Sequence, residues 1–353
     1  MSFCSNCLLP TTKDIKTIEL IRNEYLSNDT PWFVGYSGGK DSSALLTLVV
    51  SALKDIKVYK RPVTVVYCDT GVENPIVTKY VYETFSALKN ECDSLGIPIQ
   101  YKIVKPKLEE RFFVKVIGKG YPTPTNIFRW CTKYLRINPV KKAINSKEQA
   151  IVLLGVRKNE SEERNRTLNE NRIDKYYYKQ KASSNTKIFS PIIDYSIKDV
   201  WSTIKFKSIP VSINHNVIGS LYKDAGAECP VFREDKGSPC GKGRFGCWTC
   251  TVVRKDKSVE KLIENGYSEL VPYFTFRNWL SEFRDNQKYR SKVRRNGQVG
   301  LGPITIKGRK VILKKLQDLE KLTNSVILEK DELRLIKQYW KEDIANPKYV
   351  ELL

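Results

Sequence analysis

The sequence predicts an α/β fold: a parallel twisted sheet with flanking helices, followed by a smaller cysteine-cluster and helical C-terminal part. Three observations carry this. Four short apolar runs, Trp32 to Tyr36, Val63 to Tyr67, Ile99 to Val104 and Ile151 to Val156, alternate with helical periodicity. That is the pattern of strand–helix–strand units joined by right-handed crossovers. The first, second and fourth runs each end in a glycine-bearing polar loop, where open α/β sheets carry their ligands. A chain of 353 residues also exceeds what one core usually holds, so about two domains are expected.

The elements follow in order. An amphipathic segment from about Asp14 to Leu26 predicts the first helix. The strand Trp32 to Tyr36 feeds Ser37-Gly38-Gly39-Lys40-Asp41-Ser42, and the apolar stretch behind this loop is long enough for a helix. The second strand ends in Cys68-Asp69-Thr70-Gly71, and Pro75 marks the start of a helix running towards Leu95. Between Asn159 and Asn185 the periodicity dissolves around Lys175-Tyr176-Tyr177-Tyr178-Lys179-Gln180-Lys181, predicting a mobile loop or an extended excursion. Helical periodicity returns from Leu280 to Leu353. The expected divisions are an N-terminal segment 1–13 carrying Cys4 and Cys7, a sheet domain 14–217, a cysteine-rich segment 218–260 and a basic helical region 261–353.

The chain is 41% hydrophobic and 28% charged, ordinary for a packed globular protein. Its 61 Lys and Arg against 39 Asp and Glu give a net charge of +22, which favours phosphate-bearing partners, nucleic acid first, over a merely solvated basic surface. The longest uncharged apolar run, Ser42 to Leu53, is too short to cross a bilayer, and the N-terminus lacks the pattern of a secretion signal. Nine cysteines in such a chain imply thiols or metal ligands in a reducing, cytoplasmic compartment.

The glycine loop is neither a Walker A motif nor the three-glycine dinucleotide fingerprint. Gly38 and Gly39 free a run of backbone N–H groups at a helix N-terminus, a ready site for phosphate. Ser37 and Ser42 supply hydroxyls, Lys40 neutralises charge and Asp41 is suited to hold Mg2+; the plain alternative is a glycine turn. Arg129, Arg157 and Arg164 are guanidinium forks matched to a second phosphate, or else surface residues. Cys229, Cys240, Cys247 and Cys250 lie close enough in sequence for a tetrahedral metal site, and spacing alone leaves zinc and iron–sulfur open. From Arg284 to Lys315 the only acid is Asp285, so Lys288, Arg290, Lys292, Arg294 and Arg295 are candidate backbone contacts for nucleic acid, with a solvated helix face as the alternative.

Ser37-Gly38-Gly39-Lys40-Asp41-Ser42 resembles the PP-loop of the ATP pyrophosphatases. Asp69-Thr70-Gly71, Arg129-Trp130-Cys131-Thr132 and Gly155-Val156-Arg157 with Glu160, Ser161 and Arg164 resemble the phosphoadenylylsulfate reductase relatives within that group. Val72-Glu73-Asn74-Pro75, Cys229-Pro230, the stretch Arg244 to Val253 and Arg294-Arg295-Asn296-Gly297 are similar to the DNA phosphorothioation branch of DndC and SspD. The resemblance implies a PP-loop, adenine nucleotide alpha hydrolase-like fold. It implies ATP and Mg2+ bound by Tyr36 through Ser42, Asp69, Thr70, Gly155 and Arg157, with Lys40, Asp41, Asp69 and Arg157 catalytic. Arg129, Cys131, Glu160 and Arg164 would face the second substrate, and the Cys229, Cys240, Cys247 and Cys250 quartet would ligate a 4Fe–4S cluster, zinc being the alternative. The implied partners are DNA, a cysteine desulfurase as sulfur donor and other phosphorothioation proteins, with no membrane. The implied activity converts ATP to AMP and pyrophosphate and activates a DNA backbone phosphate for sulfur incorporation. Rival expectations are a reductase of adenylylsulfate or its 3′-phosphate, a tRNA-thiolating enzyme, and, in another class, an iron–sulfur DNA-binding module whose nucleotide site is inactive.

Overall fold

The computed structural model describes residues 9–144, 149–158, 162–180, 185–205, 210–226 and 245–345. Helix α1 (Thr12–Ser27) opens on a capping box in which Thr11 and Asp14 satisfy each other's backbone N–H. Strand β1 (Trp32–Gly35), helix α2 (Lys40–Lys54), strand β2 (Val63–Cys68), helix α3 (Pro75–Ser94) and strand β3 (Ile99–Val104) follow. The chain then leaves the sheet through two π-helical segments, Val114–Gly118 and Thr132–Ile137, and returns by α4 (Asn138–Ile144) to β4 (Ala150–Leu153). Helix α5 (Glu162–Glu170), strands β5 (Tyr177–Lys179) and β6 (Thr186–Phe189), and helices α6 (Ile197–Lys205), α7 (His215–Asp224), α8 (Lys257–Glu264), α9 (Val271–Arg284), α10 (Ile306–Thr323) and α11 (Lys330–Ala345) complete it.

The sheet order is β3-β2-β1-β4-β6-β5, parallel throughout except for β5. Valine and aromatic residues in β1 and β2 suit strands covered on both faces. Successive strands step one way from β1 to β3 and the other way from β1 to β4, so the order reverses beside β1. Crevices for ligands open at such reversals, outside the carboxyl ends of the strands. The expected excursion around Lys175 to Lys181 is instead partly ordered: Tyr177 stacks on Phe189 with ring centroids 5.0 Å apart, making β5 an antiparallel edge on β6.

Two hydrophobic cores form. The first fills the space around the sheet with Val34, Leu45, Val65, Phe85 and Leu153, and it also takes in Ile218 and Tyr222 of α7 and Leu262 of α8. The second joins Phe112, Phe113, Trp130 and Leu135, from the excursion between β3 and β4, to Trp248, Phe276, Leu280, Leu316 and Ile336. The expected divisions at 217/218 and 260/261 therefore separate neither core, because each core draws on residues from both sides. Fully buried Arg309 binds the second layer together by donating to the carbonyls of Gly118 and Ile304, both at 2.8 Å, and to Asp343.

The basic segment also departs from the helical expectation. Between α9 and α10 the chain folds as a hairpin, with isolated bridges Arg290↔Ile304 and Val293↔Val299 and Gly297 in the left-handed region at φ 84°. Arg290 is buried there, donating to the carbonyls of Gly302 at 2.7 Å and Arg284 at 2.7 Å. Its expected role as a nucleic-acid contact is corrected: it holds the hairpin, and the exposed cations are Lys288, Lys292, Arg294 and Arg295.

Candidate active site

The loop after β1 is shaped by its own residues. Gly38 turns the chain at φ 73°, and a Cβ there would lie 2.5 Å from Val81 Cγ2, so both backbone and neighbour demand glycine. Ser42 Oγ donates to the Gly39 carbonyl at 2.9 Å and accepts from the Ser37 N–H at 3.2 Å, so this hydroxyl closes the loop from within. Gly39 is the N-cap of α2 and caps no amide with a side chain. The Lys40 N–H instead donates to the Tyr222 hydroxyl of α7 at 3.2 Å, and the Lys40 ammonium lies 5.5 Å from the centre of that ring. Tyr36 is buried behind the loop and stacks on Phe85.

Across the sheet reversal, the loop after β4 closes on this turn. Arg157 Nε donates to Asp41 Oδ1 at 2.5 Å, and Lys40 Nζ bonds Asp41 Oδ2 at 2.8 Å. The approach is so close that a Cβ on Gly155 would stand 2.7 Å from the Asp41 carbonyl oxygen. Lys40 and Arg157 are both buried, so two cations share one carboxylate at a helix N-terminus whose glycine N-cap offers no side chain, an arrangement that attracts a polyphosphate. Each oxygen of Asp41 is held by a cation, so the carboxylate orients Lys40 and Arg157.

Asp69 ends β2 on the neighbouring strand. Its Oδ1 accepts from the Gly71 N–H at 2.9 Å, its Oδ2 from the Tyr82 hydroxyl at 2.9 Å, and Lys105 stands 3.7 Å away. Thr70 donates to Glu73 Oε1 at 2.9 Å. Glu73 in turn receives Arg136, which reaches both carboxylate oxygens, at 3.1 and 3.2 Å, and also the Cys247 sulfur at 3.7 Å. Burial alone would lower the Arg136 pKa, but the Glu73 carboxylate and the Cys247 thiol outweigh it and the net shift is upward. An antiparallel bridge between Glu73 and Cys247, with the Trp248 N–H donating to the Val72 carbonyl at 2.9 Å, pins the CxxC segment to the end of β2.

The thiols gather at the same end of the sheet. Cys68 donates to the Leu135 carbonyl at 3.2 Å, and burial raises the Cys131 thiol above its ordinary pKa. Burial pushes the Cys68 thiol up to about 12, and burial followed by the Glu73 carboxylate pushes Cys247 up to about 12 against the pull of Arg136. Without a metal these groups stay protonated at neutral pH. Cys247 and Cys250 share one turn, the Cys250 N–H donating to the Cys247 carbonyl at 3.0 Å. Among the described residues no group of three or more His, Cys, Asp or Glu side chains is placed to hold a metal ion. Cys229 and Cys240, the other half of the expected quartet, lie outside the described residues, as do Cys4, Cys7, Glu160 and the side chain of Arg164.

Arg129, expected to face the second substrate, is exposed and bonds Asn126 at 3.2 Å, in a turn that packs on the second layer. Sequence reasoning missed Tyr222, Tyr82 and Arg136 as partners of the site. Glu73 stood inside a quoted motif, but its pairing with Arg136 depends on the π-helical turn that presents the arginine. Among the described residues no helix is long and apolar enough to cross a membrane.

The profile of the phosphoadenosine phosphosulfate reductase domain matches residues 31–253. Two uncharacterized proteins of Methanocaldococcus jannaschii are similar, one 31% identical over 239 residues and the other 25% identical over 241. Each alignment covers 67% of this chain but only 39% and 44% of the respective relative, so the chain spans less than half the length of either. Among solved structures, phosphoadenylyl-sulfate reductase from Candida auris aligns at 14% identity and a TM-score of 0.36, over 55% of this chain and 80% of its own. The U34-tRNA thiolase of Methanococcus maripaludis, described with its 4Fe–4S cluster, aligns at 18% identity and a TM-score of 0.35, over 63% of this chain and 76% of its own. The profile match begins one residue before β1 and ends just past the CxxC, taking in both glycine loops, Asp69 and the thiol turn: the chain belongs to the phosphoadenosine phosphosulfate reductase domain family.

Proposed function

We propose that this chain cleaves ATP between its α and β phosphates, transfers AMP to a backbone phosphate oxygen of DNA, and so prepares that oxygen for replacement by sulfur. The observation that carries the reading is the Lys40–Asp41–Arg157 triad, assembled across the sheet reversal at the glycine-capped N-terminus of α2. In this reading the loop amides and the two cations hold the β and γ phosphates and stabilise the pyrophosphate as it departs. The acceptor oxygen attacks the α phosphorus, the bond to the bridging oxygen breaks, and pyrophosphate carries the electron pair away. The net charge of +22 and the exposed cations of the 287–304 hairpin support a polyanionic acceptor. A cysteine desulfurase and companion phosphorothioation proteins would supply the sulfur, and a 4Fe–4S cluster on Cys229, Cys240, Cys247 and Cys250 would serve at the thiol end of the sheet.

The test is product analysis with ATP and DNA. AMP and pyrophosphate in equal amounts, dependent on DNA and lowered about 10²-fold or more by Asp41→Asn, is the expected result. ADP and phosphate would overturn it. Family membership favours one second reading, reduction of an adenylylsulfate; release of sulfite from that substrate without ATP turnover would select it.

A further inference from the structure

The turn between the two π-helical segments is built to display an apolar side chain. The Trp130 ring N–H donates to the Pro122 carbonyl at 2.9 Å, and the Phe128 N–H donates to Thr125 Oγ1 at 3.0 Å. The Pro124 carbonyl accepts from the Thr251 hydroxyl at 2.8 Å and from Arg284 at 3.2 Å, fastening the turn to the CxxC segment and α9. Phe128 lies nearly parallel to Tyr121, at 19°. On this braced support Ile127 is 100% exposed and Phe128 45%.

The surroundings are basic. Arg129 and Lys133 are exposed on the flanks of the turn. The hairpin that carries Lys292, Arg294 and Arg295 joins it directly: Arg295 donates to the Lys119 carbonyl at 2.6 Å, and the Ile304 N–H to the Gly120 carbonyl at 2.7 Å. A partner seated here must be anionic on its outside and offer an apolar slot. Stacked bases between phosphates answer both requirements, and aliphatic side chains are known to enter base steps in this way.

We propose that the 122–130 turn is a wedge that inserts Ile127 between neighbouring bases of a DNA strand whose phosphates rest on the 292–295 hairpin. This rests on the reading of DNA as the acceptor. The wedge unstacks one step, and the cations set the strand's position without reading its sequence.

The experiment uses the full chain and DNA carrying 2-aminopurine, single-stranded and duplex, followed by anisotropy for binding and by fluorescence for unstacking. The expected result is salt-dependent binding with a fluorescence rise. Ile127→Ser should abolish the rise and keep the salt dependence, since Ile127 is fully exposed and the variant keeps its core. Lys292→Ala with Arg294→Ala should lower the slope of affinity against salt. Binding without a rise, or a rise that survives Ile127→Ser, overturns the wedge alone and assigns the tip to another partner. Absence of binding to either form of DNA overturns the acceptor reading as well.

Discussion

Three glycines separate steric from conformational demand. Gly71 sits at φ 75° with nothing within 4 Å of where a Cβ would stand, whereas Gly38, at φ 73°, would drive a Cβ into Val81. Gly71→Ala should therefore cost only the left-handed penalty of about 1–2 kcal/mol, and Gly38→Ala clearly more, read by denaturant unfolding. Gly155 has no such backbone demand, but its Cβ would strike the Asp41 peptide, which cannot give as a side chain can, so Gly155→Ala should lower both stability and nucleotide turnover. Tyr222 gives a sharper test. Its hydroxyl occupies the Lys40 amide that a phosphate oxygen would take in the proposed reading, in which ATP displaces it. Tyr222→Phe should lower the unliganded stability by about 1 kcal/mol and enlarge the thermal shift produced by ATP, because the variant has no such bond to break; an unchanged shift would show that phosphate binds elsewhere. Among these residues the loop was legible because its letters are consecutive. Tyr222 was not, since only folding carries it across 182 positions to Lys40. Arg290 and Arg294 look alike in sequence and differ only in where the hairpin turns them.

Elements declared themselves in proportion to their length and periodicity. Helices α2 and α3, with a glycine N-cap and an Asn74–Pro75 start, were plain. Strand β6 was not: Thr186-Lys187-Ile188-Phe189 is too short to show alternation, and β5 exists because Tyr177 finds Phe189. The docking of α11 has a pH signature of its own. Glu332 on its first turn is buried, and burial raises its pKa above the ordinary carboxylate value, against Arg111 and the Glu329 N–H. A folded pKa above the unfolded one means that the folded state holds this proton more tightly. The contribution is complete below the unfolded pKa and is lost as pH rises through the folded one. Thermal melts between about pH 4 and pH 7 should show the wild type losing stability relative to Glu332→Gln as pH rises. A constant difference would mean that Arg111 keeps the carboxylate charged throughout.

At the scale of the whole molecule the two cores interlock along the chain, and this decides how it unfolds. The excursion after β3 delivers Phe112, Phe113 and Trp130 to a core whose other wall is α9, α10 and α11, while α7 and α8 return to the first core. A sequence read in order assigns neighbours to the same domain, so the four consecutive divisions expected from composition had no means of showing such a crossing. The contact at the end of β2 depends on it: Glu73 and Arg136 meet Cys247 only because the second layer holds the CxxC segment against the end of β2. A chain ending at residue 260 should therefore not behave as a folded sheet domain lacking a tail. Without Phe276, Leu280, Leu316 and Ile336, the aromatic residues of the excursion are left uncovered. The truncated chain should bind a hydrophobic dye strongly and lose near-ultraviolet circular dichroism, while the full chain should unfold with coincident near- and far-ultraviolet transitions. A truncated chain that melts cooperatively and binds no dye would show that the sheet domain is independent, and that the Glu73–Arg136–Cys247 contact is a docking between finished domains.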